Sequence, residues 1–215
     1  MAFSIPLNPD ELLTTTRTVR KRLDLTRPVP TEVIRDCLEI ALQAPSGSNK
    51  QHWQWIVVTD SDQRRAIGEV YRRSTEQYLA SEGAAGKLFA DDPARAPVQQ
   101  RVGDSVAYLA QHMADVPVLV LPCLQVAKLP TGNQAGLWGS LLPAVWSFML
   151  AARARGLGTA WTTLHLVYEA EVGEILGLPD GIRQAALIPT AYYTGTDFRP
   201  AARQPLDEVL HWDHW

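Results

Sequence analysis

From Leu137 to Arg155 the chain is apolar almost all the way round a helix. Trp138, Leu141, Leu142, Val145, Trp146, Phe148, Met149 and Leu150 leave it almost no polar face. A helix hydrophobic on every side needs neighbours on every side. In a chain of 215 residues it is therefore either the central core helix or part of an interface between two copies. Either way, other elements must wrap round it.

Those elements are readable in order. Asn8 precedes Pro9, with Glu11 three positions on, a capping-box arrangement that predicts a helix start. Thr14, Thr15 and Thr16 weaken that helix, leaving Arg17, Arg20, Lys21 and Arg22 in or just after its last turn. From Thr31 to Leu42, the residues Ile34, Cys37, Leu38 and Ala41 share one face at helical spacing, and Pro45 and Gly47 stop the run. Trp55 to Thr59 reads as a strand. Ser61 reads as the cap of a third helix carrying Ile67, Val70, Tyr71 and Tyr78, and Val98 to Met113 as a fourth. "VLVLPCL", "GLGTAWTTL" and "AALIPTAYYTG" read as further strands, with a short helix ending near Leu178 between the last two.

Residues 81–97, rich in Ala, Gly, Asp and Pro without a steady period, form either a mobile lid or a surface loop. Strands so widely separated need crossovers, which predicts a mixed α and β chain. One domain is expected over residues 1–215, with 196–215 as a C-terminal extension.

Composition removes several function classes. The net charge of −3 argues against nucleic acid as the main ligand. Cys37 and Cys123 stand far apart, so no disulfide framework or thiolate metal site is expected, and a reducing compartment is the simplest reading. His112 and His165 are isolated, and His211 with His214 lacks a third ligand, so no metal is expected. With no run of eighteen apolar residues and no basic leader, the expected location is the cytoplasm, away from membranes. The chain has no GxGxxG, GxxxxGK[ST] or GxSxG motif.

Three stretches carry polar groups beyond structural need. Arg17 and Arg20 are three apart, so a helix or tight turn would put both guanidiniums on one side, suited to a phosphate; the alternative is a solvated basic helix end. The loop around Gly47 offers Ser46, Ser48 and Asn49 just before the Trp-rich strand, as ligand groups or as a plain polar turn. Arg199 and Arg203 follow the last strand, either returning to the first basic cluster or lying on an exposed arm. There are anion and polar binding groups without a clear nucleophile or proton relay. That profile fits an enzyme whose cofactor carries the reaction.

Taken in order, these pieces resemble the nitroreductase family of FMN-dependent oxidoreductases. "TRTVRKRL" at 16–23 is similar to the family's "RRSVRxF"-like opening, and "APSGSNKQHW" to its "APSxxNxQPW". "GLGTAWTTL" at 156–164 resembles its "GLGTxW"-like strand, and "PAARQPLDEVLHW" its "PxxRxPLxEVxxW" ending. The chain departs from the pattern at Thr16, in the slot of the first Arg, at His52, in place of a proline, and at Arg22 and Leu23, where a single aromatic is common.

The resemblance implies an α+β fold, a central mixed sheet flanked by helices, built as an intertwined homodimer with FMN at the interface. It assigns Arg17, Thr18 and Arg20 to the FMN phosphate and ribityl chain, with Arg203 and, as an extra partner, Arg199 from the tail. It assigns Pro45, Ser46, Ser48 and Asn49 to the loop lent by the other subunit, and Thr162, Thr163 and Leu164 to the segment beside the isoalloxazine. The implied reaction is ping-pong: NADH or NADPH delivers hydride to flavin N5, and a nitroaromatic, quinone or similar conjugated electrophile takes the reducing equivalents. No side chain is expected as an essential acid or base. Two alternatives stand beside it: a protein that stores or senses FMN, and a same-fold enzyme of specialised chemistry such as dehalogenation, dehydrogenation or flavin fragmentation.

Overall fold

The computed structural model describes residues 4–215. The first helix, α1 (Pro9–Thr15), starts where the capping box predicts. Glu11 N–H donates to Asn8 Oδ1 and Asn8 N–H donates to Glu11 Oε2, both at 2.9 Å. Replacing Asn8 by alanine is expected to cost about 1 kcal/mol, read as a melting temperature lower by roughly 3 °C.

After α1 come α2 (Thr31–Ala41), β1 (Trp53–Val58), α3 (Ser61–Ala80), α4 (Ala96–His112) and β2 (Val118–Gln125). The chain continues through α5 (Ala135–Ala154), β3 (Leu157–Thr159), α6 (Glu169–Leu176), β4 (Ile182–Gln184) and β5 (Ile188–Tyr192). The cap of α3 is Asp60, not Ser61; the Asp60 carboxylate accepts from the N–H groups of Asp62 and Gln63. The short strand β4 carries no alternating pattern and was not foreseen. It pairs with the far end of β2 after the turn at Gly181, whose φ is +82°.

The sheet runs β1-β2-β5-β3, with β4 also paired to β2. All four ladders are antiparallel, which corrects the expected mixed sheet; the parallel pairing is a lone bridge, Thr18 to Thr159. The connections explain this. Two helices between β1 and β2 reverse the chain once more than a single crossover helix would, so those neighbours run in opposite directions.

Both faces of the sheet are covered. Along β2, Val118, Val120 and Leu124 face a core with α2 and α5, while Leu119, Leu121 and Cys123 face one with α3, α4 and α6. Burial on both sides is why this strand reads as a continuous apolar run. Burial also pushes the thiols of Cys37 and Cys123 up to about 12, so both are inert.

Helix α5 is long and apolar enough to cross a bilayer, yet Leu141, Ala144, Val145 and Phe148 are fully buried against the sheet. A stripe on its other side stays open, with Leu142 and Trp146 exposed at 36% and 39%. Residues 81–95 carry a 3-10 turn at Ala85–Lys87 that lies on α4, where Gly86 meets Gly103, and Ala85 N–H donates to Tyr78 Oη at 2.7 Å.

Candidate functional site

Because α1 ends at Thr15, Arg17 to Val19 run along the sheet edge just after the helix, and Arg20 opens a bend closed by Leu23 N–H donating to Arg20 O at 3.2 Å. Thr16 closes the helix by donating its hydroxyl to Leu12 O at 2.6 Å. The segment then joins the sheet edge: Thr18 bridges Thr159, and Val19 N–H donates to Thr159 O at 2.8 Å. Val19 points into the core, so Thr18 and Arg20 point away from it.

The tail returns to meet this segment. Gly195, at φ +77°, allows the turn. Thr194 N–H donates to Arg22 O at 2.9 Å, Arg22 Nε donates back to Thr194 O at 2.7 Å, and Arg17 Nη1 donates to Arg199 O at 2.8 Å.

Between the two strips lies a cleft of about 370 Å³, walled by Arg17, Thr18, Arg20, Lys21, Arg22, Ser105, Asp197, Phe198 and Arg199. Five of these are cations. The one carboxylate, Asp197, is already paired with Arg22 at 3.4 Å. Arg20 donates to Ser105 Oγ at 3.1 Å, and burial pulls its guanidinium pKa down, with the neighbouring Tyr71 and Tyr78 opposing. A desolvated cation without a carboxylate suits an anion that brings its own charge.

Arg203, in contrast, is exposed on the arm beyond Pro200 and donates only to its neighbour Ala202 O. It does not line the cleft.

The loop groups stand elsewhere in the chain. Gly47 to Asn49 form a 3-10 turn seated on α5, with Gly47 N–H donating to Ser140 Oγ at 2.9 Å. Ser48, Asn49 and Gln51 all take positive φ, at 53°, 51° and 50°. Three non-glycine residues in that region within four positions store strain, which clusters where a ligand or partner acts. Ser46 Oγ and Asn49 Oδ1 accept from Gln51, and neither Pro45 nor any of these residues lines the basic cleft.

The Thr162–Leu164 segment leaves the sheet after β3. Thr162 is buried, bridged to Leu187, and donates its hydroxyl to Tyr71 Oη at 3.0 Å. The charge of Arg20 is felt at Tyr71 and favours its ionised form, against the larger effect of burial. Burial raises the Tyr71 pKa, so the phenol stays neutral. Thr163 is exposed and lines a second cavity of about 380 Å³, walled by Trp138, Leu142, Trp161 and Leu166, with Arg183 and Glu169 paired at 2.8 Å on its wall. Leu164 packs into the core.

Tyr71, Ser105 and Phe198 were missed. Tyr71 and Ser105 read as ordinary helix residues, whereas an aromatic directly before Arg199 was a signal available in the sequence.

Directly after this segment His165 is fully buried, and desolvation, opposed by the neighbouring Gln184 side chain, drops its pKa to about 4. Its folded value lies below the ordinary 6.5, so the unfolded chain takes up a proton first as pH falls. Stability from this group is complete above pH 6.5 and is lost between 6.5 and about 4. His165→Gln is expected to flatten the fall in melting temperature across that window, compared with the unsubstituted protein in the same buffers.

Comparison with known proteins gives this site its context. The family profile described as Nitroreductase family matches residues 13–192. An iodotyrosine deiodinase from Nematostella vectensis is 41% identical over 199 residues, covering 90% of this chain and 70% of its own length. A chloronitrobenzene nitroreductase from Comamonas testosteroni is 29% identical over 200 residues, covering 82% and 83%. The crystal structure of NfnB, an FMN- and NADPH-dependent nitroreductase from Sphigopyxis sp. strain HMH, superimposes with a TM-score of 0.71 at 24% identity, over 97% of this chain and all of the other. With the fold shared end to end and the profile spanning most of the sequence, the chain belongs to the nitroreductase family.

Proposed function

We propose that this chain is an FMN-dependent NAD(P)H oxidoreductase that acts as a homodimer and reduces nitroaromatics, quinones or similar conjugated electrophiles. The basic cleft carries the reading: Arg17 and Arg199, 182 positions apart, meet there, and its only carboxylate is already neutralised. That donor set fits a phosphate monoester. FMN, when bound, would supply the two-electron centre that takes hydride from the nicotinamide and passes reducing equivalents on.

The chain's own residues bind and orient. Arg17, Thr18, Arg20 and Arg199 would hold the phosphate, and Arg203 would join them only once the arm is fixed against a second copy. The Thr162–Leu164 backbone would lie beside the flavin ring, kept in place by the bond from Thr162 to Tyr71. Pro45, Ser46, Ser48 and Asn49 would reach the flavin from the second copy. The open apolar stripe on α5 supports such a dimer, because an exposed patch of this kind marks an interaction surface. The Trp138 and Trp161 walls suit a flat aromatic acceptor. No side chain is assigned as an essential acid or base.

The test is anaerobic visible absorption of the purified protein, before and after NADH and then NADPH. A flavin spectrum that bleaches supports the reading, and the faster donor gives the nucleotide preference. Bound flavin that neither donor reduces would favour storage or sensing. A colourless protein that takes up no added FMN would sink the proposal.

A second reading, reductive dehalogenation of an aromatic, is favoured by the deiodinase relative at 41% identity. Presenting the dithionite-reduced protein with an iodophenol or a nitrobenzene separates the two by which compound reoxidises it.

A further inference from the structure

The arm that closes the basic cleft hangs on one aromatic ring. Two guanidiniums pack on the ring of Phe198, Arg22 at 4.3 Å and Arg153 at 4.4 Å from its centroid. Tyr193 meets it edge-on, centroids 4.6 Å apart at 77°, and Arg153 Nη1 donates to the Tyr193 hydroxyl.

Arg153 is the unusual member. It is only 6% exposed, its Nε has no hydrogen-bond partner, and among the described residues it forms no ion pair. A buried cation without a counter-charge is costly. Here the negative faces of Phe198 and Tyr193 are what offset it. Without the Phe198 ring, both guanidiniums would lose a π face, and the arm would lose what draws it down. The next residue is Arg199, which lines the cleft and whose carbonyl receives Arg17.

We propose that Phe198 is a positioning residue: clasped by the guanidiniums of Arg22 and Arg153, it pins the arm so that Arg199 completes the cleft around a phosphate monoester. This rests on the assignment of the cleft to the FMN phosphate.

FMN and riboflavin differ only by that phosphate, so full-length protein stripped of flavin is titrated with each. Phe198→Leu keeps apolar volume and removes the π faces. It is expected to weaken FMN binding about tenfold and riboflavin binding less than about twofold, and Phe198→Tyr should restore FMN binding to within about twofold. Arg199→Ala should weaken FMN alone by a similar factor. Phe198→Leu added to Arg199→Ala should then cost nothing more, because the ring acts through that arginine.

Gly195→Ala reaches the clasp from the other side, since its Cβ would lie 2.5 Å from Arg22 Nη2; the same phosphate-selective loss is expected. Unchanged FMN affinity in Phe198→Leu, equal losses for FMN and riboflavin, or full additivity with Arg199→Ala would each overturn the clasp. If the unsubstituted protein bound FMN no better than riboflavin, the cleft assignment itself would fall, and the clasp with it.

Discussion

Arg20→Ala is expected to lower FMN affinity by about two orders of magnitude while leaving riboflavin affinity within about twofold. The reason is burial. Arg17 is exposed and already spends a donor on Arg199 O, whereas Arg20 is partly buried, so its charge is less screened by water. Hydrogen bonds to a charged partner contribute about 1.5–3 kcal/mol each, and a planar fork can make two to one phosphate. Since 1.4 kcal/mol is tenfold, a loss of about 3 kcal/mol gives the hundredfold expected.

Arg20→Lys should recover only part of this, because an ammonium offers a point charge in place of the fork and cannot span Ser105 and phosphate together. Fluorescence titration of flavin-free protein at two salt concentrations is the measurement. A parallel loss of riboflavin affinity would instead make Arg20 a fold residue acting through its Ser105 contact.

What could be read in the sequence and what could not divide along physical lines. The capping box at Asn8 and the apolar face of α2 are local patterns, and both elements form where those patterns stand. The all-polar interruption before β1 was legible as a loop, but its left-handed Ser48 and Asn49 were not, because nothing in the side chains demands positive φ. Strand β4 escaped because three residues cannot display a period; it is held by the register set in β2. The mixed sheet was expected from a family pattern, while strand direction here follows from how many helices separate β1 from β2.

Arg17, Thr18, Arg20 and Arg199 line one cleft, which is one of the two arrangements the sequence left open for the tail. Arg203 and the 45–49 loop do not join them within one chain. Ser105 carried no signal, because its contribution depends on α4 crossing behind the arginine segment, a long-range fact.

Gly158→Ala tests the other half of the site, the packing that aims the arginines. Gly158 has no unusual backbone angle in β3; its role is space. A Cβ there would lie 2.9 Å from both Cβ and Cγ1 of Val19, and a Cβ attached to backbone cannot move without the chain. Val19 is the residue that ties the arginine segment to the sheet, through its N–H on Thr159 O and the adjacent Thr18 bridge. Overpacking of this kind costs about 2 kcal/mol, which for a chain of this length lowers the melting temperature by about 6 °C.

The functional loss should exceed what instability explains. Pushing Val19 outward carries Thr18 and Arg20 with it, so FMN affinity is expected to fall about tenfold at temperatures where the protein remains folded. Removing the obstacle from the opposite side supplies the control. Val19→Gly in the Gly158→Ala background removes every atom the new methyl would meet, so the pair should bind FMN better than Gly158→Ala alone, a coupling opposite in sign to simple addition. If Gly158→Ala destabilises the fold yet keeps full FMN affinity, the arginine segment is held by its tail contacts rather than by β3, and the bond from Arg17 to Arg199 becomes its principal tether.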